Sequence, residues 1–369
     1  MNLKKFAPLT VATMMSLVAM GTVACGDDSS SGSSPVVPEN PNGQVSPENP
    51  SGNGSDVTNP DDNGQGGSPA ETPIDTPVQP GENTSDTPAV TPGQQDQTGC
   101  AAGQVSTPVA FEQSKFNDIG DVYKNIQCDE KVVFIVRHAE REGFTGSVSA
   151  LTEDGFEAAV NAGKKLVGEG KFKYIYSGMT RTMQTALGFA AGRGEVTYTT
   201  SYTVGEDDNE HFTVVSPEFT ADTIPALKDG WFRKDKDILA AYKVQDSIKN
   251  ENVMYAAWAY EGKYADAFYD LEERSLELIN NYLISDYTSM PKYTLVASHD
   301  QVLMPLTVWA TGKQIDLKLH NVEAPRNWLN YIAGIAIIIN EKNELRYAPI
   351  KGMDDKVRPD GSIVDGGIQ

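Results

Sequence analysis

The chain has 369 residues, with 51 acidic and 30 basic side chains, and a formal net charge of −21 at pH 7. This acidic balance, without a basic stripe, argues against nucleic acid binding. The three cysteines do not have the spacing of a zinc site.

Segment 1–25 is typical of an export signal. Two lysines form a basic start, a long apolar stretch follows, and small residues precede Cys25. A simple cleavable signal peptide needs no cysteine there, so we predict a bacterial lipoprotein signal with Cys25 as the lipidated residue. The chain would then be exported and anchored to a bacterial membrane, facing either the periplasm or the cell surface.

Residues 26–99 are predicted to form a disordered linker. They contain 12 acidic residues, many Gly, Ser, Pro and Asn residues, and no Lys, Arg or aromatic residue. Such a segment cannot bury enough apolar surface to offset its chain entropy. The remaining 100–369 suffice for one large domain. In an exported chain, Cys100 and Cys128 are expected to form a disulfide, with two buried free thiols as the alternative.

Strand and helix patterns alternate through most of 100–369. The predicted elements are strands at 132–136, 172–176, 195–201, 292–297, 328–339 and 345–350, and helices from Thr152, at 180–191 and at 262–284. Residues 202–260 are less regular and are predicted to form an inserted cap. This alternation predicts a three-layer α/β/α sandwich with a mainly parallel sheet.

Polar side chains directly follow three of these strands, in segments 137–141, 177–182 and 298–300. In a doubly wound sheet, such strand ends meet at one crevice. We expect two histidines, two or three arginines and one acid from these segments to converge there. Arginine forks bind phosphate oxygens bidentately, so the pattern indicates a phosphate-binding site.

These motifs resemble the histidine phosphatase superfamily, which contains acid phosphatases and cofactor-dependent phosphoglycerate mutases. Arg137-His138 matches the Arg-His-Gly opening of the family, and 151–155 matches its Leu-Thr-x-x-Gly element. Segment 181–186 matches its second arginine helix, and His299-Asp300 its second histidine. The resemblance covers most of 130–340.

The resemblance implies phosphoester hydrolysis through a phosphohistidine, with His138 as the nucleophile. Arg137 and Arg181 would bind the phosphate, with Arg141 as a third clamp, and His299 would donate a hydrogen bond to a phosphoryl oxygen. Because arginines supply the positive charge, neither a metal nor a cofactor is expected.

The resemblance also implies an acid that protonates the leaving group. Asp300 is the expected proton donor, as in the acid phosphatase branch. The mutase-like branch takes its acid from a glutamate between the two motif halves, so Glu206, Glu210 and Glu218 remain alternatives.

The sequence thus predicts an exported, lipid-anchored phosphatase that acts on small-molecule phosphomonoesters. The alternative is a non-catalytic surface lipoprotein that binds phosphorylated or anionic ligands. A phosphomutase is disfavoured, because an exported mutase would lack a phosphorylated primer. His211 and His320 have no supporting motif and are interpreted as ordinary surface or core histidines.

Overall fold

The computed structural model describes residues 100–369 with the exception of 102, 144, 145, 147, 206, 285 and 319–326. The predicted export signal with Cys25, the predicted linker 26–99, Glu206 and His320 lie outside the described residues. Among the described helices, none is long and apolar enough to cross a membrane.

The strands follow the predicted alternation in most places. In chain order they are β1 (Asn117–Asp118), β2 (Glu130–Arg137), β3 (Phe172–Tyr176), β4 (Thr199–Val204), β5 (Glu210–Val215), β6 (Asp222–Thr223), β7 (Tyr293–Ser298), β8 (Gly334–Asn340), β9 (Leu345–Lys351), β10 (Lys356–Val357) and β11 (Ile363–Val364). Seven of them form a sheet in the order β1-β9-β8-β2-β7-β3-β6. Strand β8 is antiparallel to its two neighbours, and the other pairs in this sheet are parallel.

The helices in chain order are α1 (Ile119–Lys124), α2 (Glu153–Lys164), α3 (Thr180–Gly192), α4 (Lys236–Gln245), α5 (Asn252–Glu261), α6 (Leu271–Leu278) and α7 (Asp300–Ala310). Helix α2 begins where the sequence predicts, because the Thr152 hydroxyl accepts a hydrogen bond from the Gly155 backbone N–H at 2.9 Å. Short 3₁₀ turns lie at Pro225–Leu227 and Tyr287–Ser289.

The sheet is covered on both faces, which confirms the predicted three-layer α/β/α sandwich. Alternate residues of β2 point to opposite faces: Val133 and Ile135 join the core formed with α5, α6 and α7, whereas Val132 and Phe134 join the core formed with α1, α2 and α3. The central strand is therefore buried along its whole length.

The register of the sheet brings three strand ends to one edge. In β2 and β7, Arg137 pairs with Ser298, and in β3 and β7, Tyr176 pairs with Ala297. Because all three strands run parallel, the residues that follow them leave the sheet side by side, as the sequence predicts.

Two predicted strands are wrong in extent. The strand predicted at 195–201 begins only at Thr199 and pairs with β5 in a separate antiparallel hairpin. The strand predicted at 328–339 begins only at Gly334. Ile332, with a φ of 58°, interrupts the extended backbone before it. Both segments contain the apolar and β-branched residues that are typical of strands. The first is shortened because its pairing with β5 begins only at Thr199, and the second because the backbone turns at Ile332.

The long helix predicted at 262–284 is also wrong. Helix α5 ends at Gly262, which takes a left-handed φ of 72°. The Asp270 side chain then caps a new helix, α6, by accepting a hydrogen bond from Glu273 N. The residues between them form turns, and a single π-helical turn, Ile279–Leu283, follows α6.

The region predicted as a cap, 202–260, contributes to the body of the described domain. Strand β6 pairs with β3 at the sheet edge, and α5 buries Tyr255 and Trp258 in the core. The β4–β5 hairpin lies outside the central sheet.

A disulfide joins Cys100 to Cys128, the pair predicted from the sequence. Cys128 lies two residues before β2, so the link attaches the beginning of the described domain to the base of its central strand.

Candidate active site

Four of the predicted site residues meet at the shared edge of β2, β3 and β7. His138 and His299 lie edge to face, with ring centroids 5.3 Å apart. Arg137 is the last residue of β2, and Arg181 lies in the first turn of α3. All four side chains are buried, so two cations and two imidazoles share one poorly solvated pocket.

The hydrogen bonds of His138 define its reactive nitrogen. Its Nδ1 lies 2.8 Å from the Ala139 carbonyl oxygen. Because a carbonyl only accepts, Nδ1 carries the proton and Nε2 carries the lone pair. Burial, and then the charge of Arg137, lower the pKa of His138 well below its usual value. The ring is therefore neutral and nucleophilic at Nε2.

A chain of hydroxyl groups fixes the tautomer of His299. Thr182 Oγ1 donates to the Met179 carbonyl at 2.7 Å and so accepts from Ser177 Oγ at 3.0 Å. Ser177 Oγ in turn accepts from His299 Nε2 at 2.8 Å. The lone pair of His299 is thus on Nδ1, 3.4 Å from Arg181 Nη2.

Burial, and then Arg181, lower the pKa of His299 to about 3. His299 is therefore neutral when the pocket holds no anion. To donate a hydrogen bond to a phosphoryl oxygen, as the resemblance implies, it must take up a second proton at Nδ1. A dianion placed between the arginines favours that proton by opposing their charge.

Arg137 is held firmly by its surroundings. Its Nη1 donates to the Leu329 carbonyl at 2.7 Å and to Gln369 Oε1 at 2.9 Å. Its Nη2 lies 3.2 Å from Asp300 Oδ2, and its guanidinium carbon is 4.4 Å from the Tyr331 ring centroid. These contacts orient the guanidinium without using its Nε.

Arg181 is held in a similar way. Its Nη1 donates to the Gly146 carbonyl at 2.9 Å, and its Nη2 lies 3.9 Å from Asp229 Oδ2. The Nε atoms of Arg181 and Arg137 are both buried, and neither has a hydrogen-bond partner among the residues that the structure describes. A buried donor without an acceptor is costly, so both arginines present unsatisfied N–H groups to an acceptor at this site.

Arg141 lies at the margin of this pocket. Its Nη1 is 3.4 Å from Ser149 Oγ, and its backbone forms an isolated β-bridge with Leu151. Its charge contributes to lowering the pKa values of Arg181 and His299. Arg141 is thus close enough to act on an anion in the pocket.

The expected proton donor, Asp300, is heavily engaged. Its Oδ2 accepts from the Trp328 indole at 2.9 Å as well as facing Arg137, and its Oδ1 accepts from Gln301 N at 3.0 Å. Burial acts to raise the pKa of Asp300, but Arg137 and the Trp328 N–H outweigh it and the pKa is lowered. Asp300 is therefore a carboxylate at neutral pH.

The structure adds one acid that the sequence analysis missed, Asp229. Its Oδ2 lies 3.8 Å from His299 Nδ1 and 3.9 Å from Arg181 Nη2, and its side chain is 41% exposed. Although part of the side chain is accessible, protein atoms surround its carboxyl group, and this desolvation, and then the charge of Asp300, raise the pKa of Asp229 to about 6. Asp229 thus combines contact with the pocket, access from outside and a readily lost proton.

The position of Asp229 follows from the edge strand. After β6, the 3₁₀ turn leads to Leu227, whose carbonyl accepts a hydrogen bond from Ser298 Oγ at 2.8 Å. This bond attaches the segment to the end of β7, beside His299. The available sequence signal was an acid a few residues beyond a short extended run, but β6 has only two residues and was not predicted.

Among the described residues, no hydrogen bond or ion pair joins the alternative donors Glu210 and Glu218 to the pocket. The Glu218 carboxylate accepts from Thr197 N and Oγ1, both at 2.9 Å. Glu210 is exposed at the beginning of β5. Glu206 lies outside the described residues.

Solved structures similar to this chain include phosphatases and a mutase. A phosphoglycerate mutase from Bacillus anthracis strain Sterne is 13% identical, over 60% of this chain and 92% of its own, with a TM-score of 0.38. An alpha-ribazole phosphatase from Shigella flexneri is 17% identical, over 59% and 94%, with a TM-score of 0.34. A mycobacterial glucosyl-3-phosphoglycerate phosphatase is 11% identical, over 60% and 97%, with a TM-score of 0.33.

None of the family models and none of the curated proteins matches the chain. We therefore take its function from the geometry of the pocket.

Proposed function

We propose that the chain hydrolyses phosphomonoesters through a phosphohistidine on His138. The observation that carries this proposal is the pair of buried, unpartnered Nε atoms of Arg137 and Arg181 beside two neutral histidines. A phosphomonoester supplies the acceptors that these N–H groups lack, and its charge is offset by the guanidinium groups.

In the first step, Nε2 of His138 uses its lone pair to attack phosphorus. The N–P bond forms while the ester P–O bond breaks, and the bonding electrons of that P–O bond remain on the leaving oxygen. An alkoxide is a poor leaving group, so it must receive a proton as it departs.

We assign this proton to Asp229 rather than to Asp300. Two observations support the assignment: the raised pKa of Asp229 keeps it largely protonated in mildly acidic conditions, and its carboxyl group is partly exposed at the pocket. Asp300 is ionised and already accepts from Trp328 and Arg137. Its contacts suit it to hold Arg137 in place.

In the second step, water attacks the phosphohistidine. Asp229, now a carboxylate, takes a proton from this water, and the N–P bond breaks with its electrons returning to His138 Nε2. Inorganic phosphate then leaves, and both side chains are in their starting protonation states.

The place of action is proposed from the N-terminal sequence alone. The apolar stretch followed by Cys25, and the acidic segment 26–99, support an exported protein attached by a lipid and a long tether.

The test is phosphate release by the full chain from a panel of alkyl, sugar, nucleotide and nitrophenyl phosphates in the presence of EDTA. We expect turnover by the wild type and loss of at least about a thousandfold in His138→Ala, because the nucleophile is absent. Rapid quenching of the wild type should trap an acid-labile, alkali-stable phosphoprotein that His138→Ala lacks.

Two outcomes contradict the proposal. Full activity in His138→Ala would exclude His138 as the nucleophile. A folded wild type that binds inorganic phosphate but hydrolyses no ester would instead favour the non-catalytic ligand-binding lipoprotein.

A further inference from the structure

A third histidine, His211, lies in an environment opposite to that of the pocket. Its buried ring has Nδ1 2.7 Å from Glu142 Oε2 and Nε2 2.8 Å from Asp207 Oδ1. A carboxylate accepts hydrogen bonds but cannot donate them, so these two contacts together require a proton on each ring nitrogen. The geometry therefore makes His211 an imidazolium between two carboxylates, and not the ordinary histidine predicted from the sequence.

The same two carboxylates also act on the charge of the ring. Hydrogen bonds to Asp207 and then Glu142 raise the pKa of His211 above its usual value. The hydrogen bond from His211 is also the main cause that lowers the pKa of Asp207 to about 2. The ion pair between protonated His211 and Asp207 thus exists above the low pKa of Asp207, and it is lost as the pH rises through the raised pKa of His211.

Glu142 connects this contact to the chain that follows the nucleophile. Its Oε1 accepts from Phe212 N at 2.8 Å, which attaches it to β5. Its Oε2 also accepts from Ala150 N at 3.3 Å, and its own backbone N–H donates to the Ala150 carbonyl at 3.1 Å. Glu142 therefore joins three pieces of chain: its own position, the neighbourhood of Ala150, and the hairpin that carries His211.

This junction lies next to the groups that serve the phosphate pocket. Arg141 directly precedes Glu142 and forms its β-bridge with Leu151, which directly follows Ala150. Between Glu142 and Ala150 lies Gly146, whose carbonyl accepts from Arg181 Nη1. The positions of Arg141 and of the Gly146 carbonyl therefore depend on the junction at Glu142.

We propose that His211 is a positioning residue which, through Glu142, holds Arg141 and the Gly146 carbonyl in the geometry that the phosphate pocket requires. The proposal rests on the proposed phosphatase function and identifies a determinant of phosphate binding outside the pocket.

Loss of the proton from His211 has a defined consequence. One carboxylate then faces a lone pair, so one of the two hydrogen bonds is lost and the junction is weakened. If the pocket has its binding geometry for only a fraction of the time, the Michaelis constant rises by the inverse of that fraction, while saturated turnover is unchanged. For nitrophenyl phosphate, whose leaving group needs no proton from Asp229, increasing pH should therefore raise KM and the inhibition constant of inorganic phosphate, while kcat is spared.

The test compares His211→Gln with a matched control in the full chain. Gln is of similar size but offers both an N–H₂ and a carbonyl, so it cannot donate to two carboxylates from opposite ends. We expect KM and the phosphate inhibition constant to rise about fivefold at pH 6, with kcat within about twofold of wild type. The control is Thr203→Val, which removes the 2.6 Å Thr203–Thr213 hydroxyl contact of the same hairpin and should leave all three constants unchanged.

A second variant, Asp207→Asn, retains the histidine and tests protonation directly. The chain has only four histidines, so the imidazole resonance of His211 can be assigned by NMR as the one that His211→Gln lacks. Asp207→Asn should lower the pKa of His211, and the rise of KM with pH should shift to lower pH by the same amount. If His211→Gln fails to fold, the His211 resonance is identified instead as the one whose titration Asp207→Asn shifts, because Asp207 contacts His211.

The proposal is overturned if KM stays constant through the observed titration of His211, or if kcat and not KM falls in both variants. Calorimetric measurement of inorganic phosphate binding distinguishes a failure of the proposed phosphatase function from a failure of the positioning role of His211. A wild type without turnover contradicts the proposed function, whereas equal phosphate affinity in wild type and His211→Gln contradicts the positioning role.

Discussion

Two carboxyl groups lie close to the histidine pair, and their surroundings differ sharply. Asp300 follows the central sheet at the start of α7 and has three donors or cations around it: Arg137, Trp328 and Gln301. Asp229 lies on the irregular segment after β6, with Arg181 Nη2 3.9 Å from its Oδ2. The pKa of Asp300 is lowered and that of Asp229 is raised to about 6. Neighbouring partners, and not residue type or motif, thus distinguish the two acids.

The largest expected difference concerns leaving groups. Asp229→Asn should lower kcat/KM for alkyl phosphates by about 10²–10⁴-fold, because an alkoxide leaves poorly without a proton. For nitrophenyl phosphate, whose leaving group needs no proton, kcat/KM should change by less than about fivefold. Stopped-assay measurement of both esters checks this, and equal losses would remove Asp229 from the role of acid.

The pH dependence of kcat/KM should also distinguish Asp229 from Asp300. As a donor, Asp229 must be protonated, so kcat/KM for alkyl esters should fall about tenfold per pH unit above its pKa of about 6. His138, with its lowered pKa, remains neutral over this range. Because phosphomonoesters also titrate near pH 6, the informative profile is that of Asp229→Asn. In Asp229→Asn, the decline of activity above pH 6 that is caused by titration of Asp229 should be absent, and only the decline caused by the substrate should remain. A pH profile like that of the wild type would contradict the assignment of Asp229 as the donor.

The smallest expected effect is at Asp300. Asp300→Asn retains an acceptor for the Trp328 indole but loses the charge opposite Arg137. We expect a loss of about tenfold in kcat/KM, of equal size for alkyl and nitrophenyl esters, since the arginine is disturbed and the proton donor is not. A loss confined to alkyl esters would return the donor role to Asp300.

The parts of the fold that could be predicted are those specified by local sequence. The apolar run of β2, the Thr152 cap and the polar segments after β2, β3 and β7 are short-range signals, and parallel pairing then brings Arg137, His138, Arg181 and His299 together. The histidines and arginines of the candidate site could therefore be identified from the sequence alone.

The remaining parts depend on contacts that no local pattern encodes. The hairpin of β4 and β5 and the two-residue strand β6 are defined by their partners, so Asp229 and the surroundings of His211 could not be found from periodicity. The buried face of Phe268 and Leu278 suggested one helix, whereas Gly262 and Asp270 divide the segment. In this segment the capping residues, and not the apolar spacing, determine where the helices end and begin. Unlike the other differences, this one had a local signal in the sequence.

The disulfide has a mechanical consequence. A pulling force applied to the chain ahead of Cys100 passes through the sulfur atoms to Cys128, and so to the base of β2, which is paired along its length with β7 and β8. Without this link, the same force would first peel away residues 101–127, whose attachment to the sheet through β1 consists of only two residues. The disulfide thus directs load into a strand that is paired on both sides, and spares the short elements at the edge of the sheet.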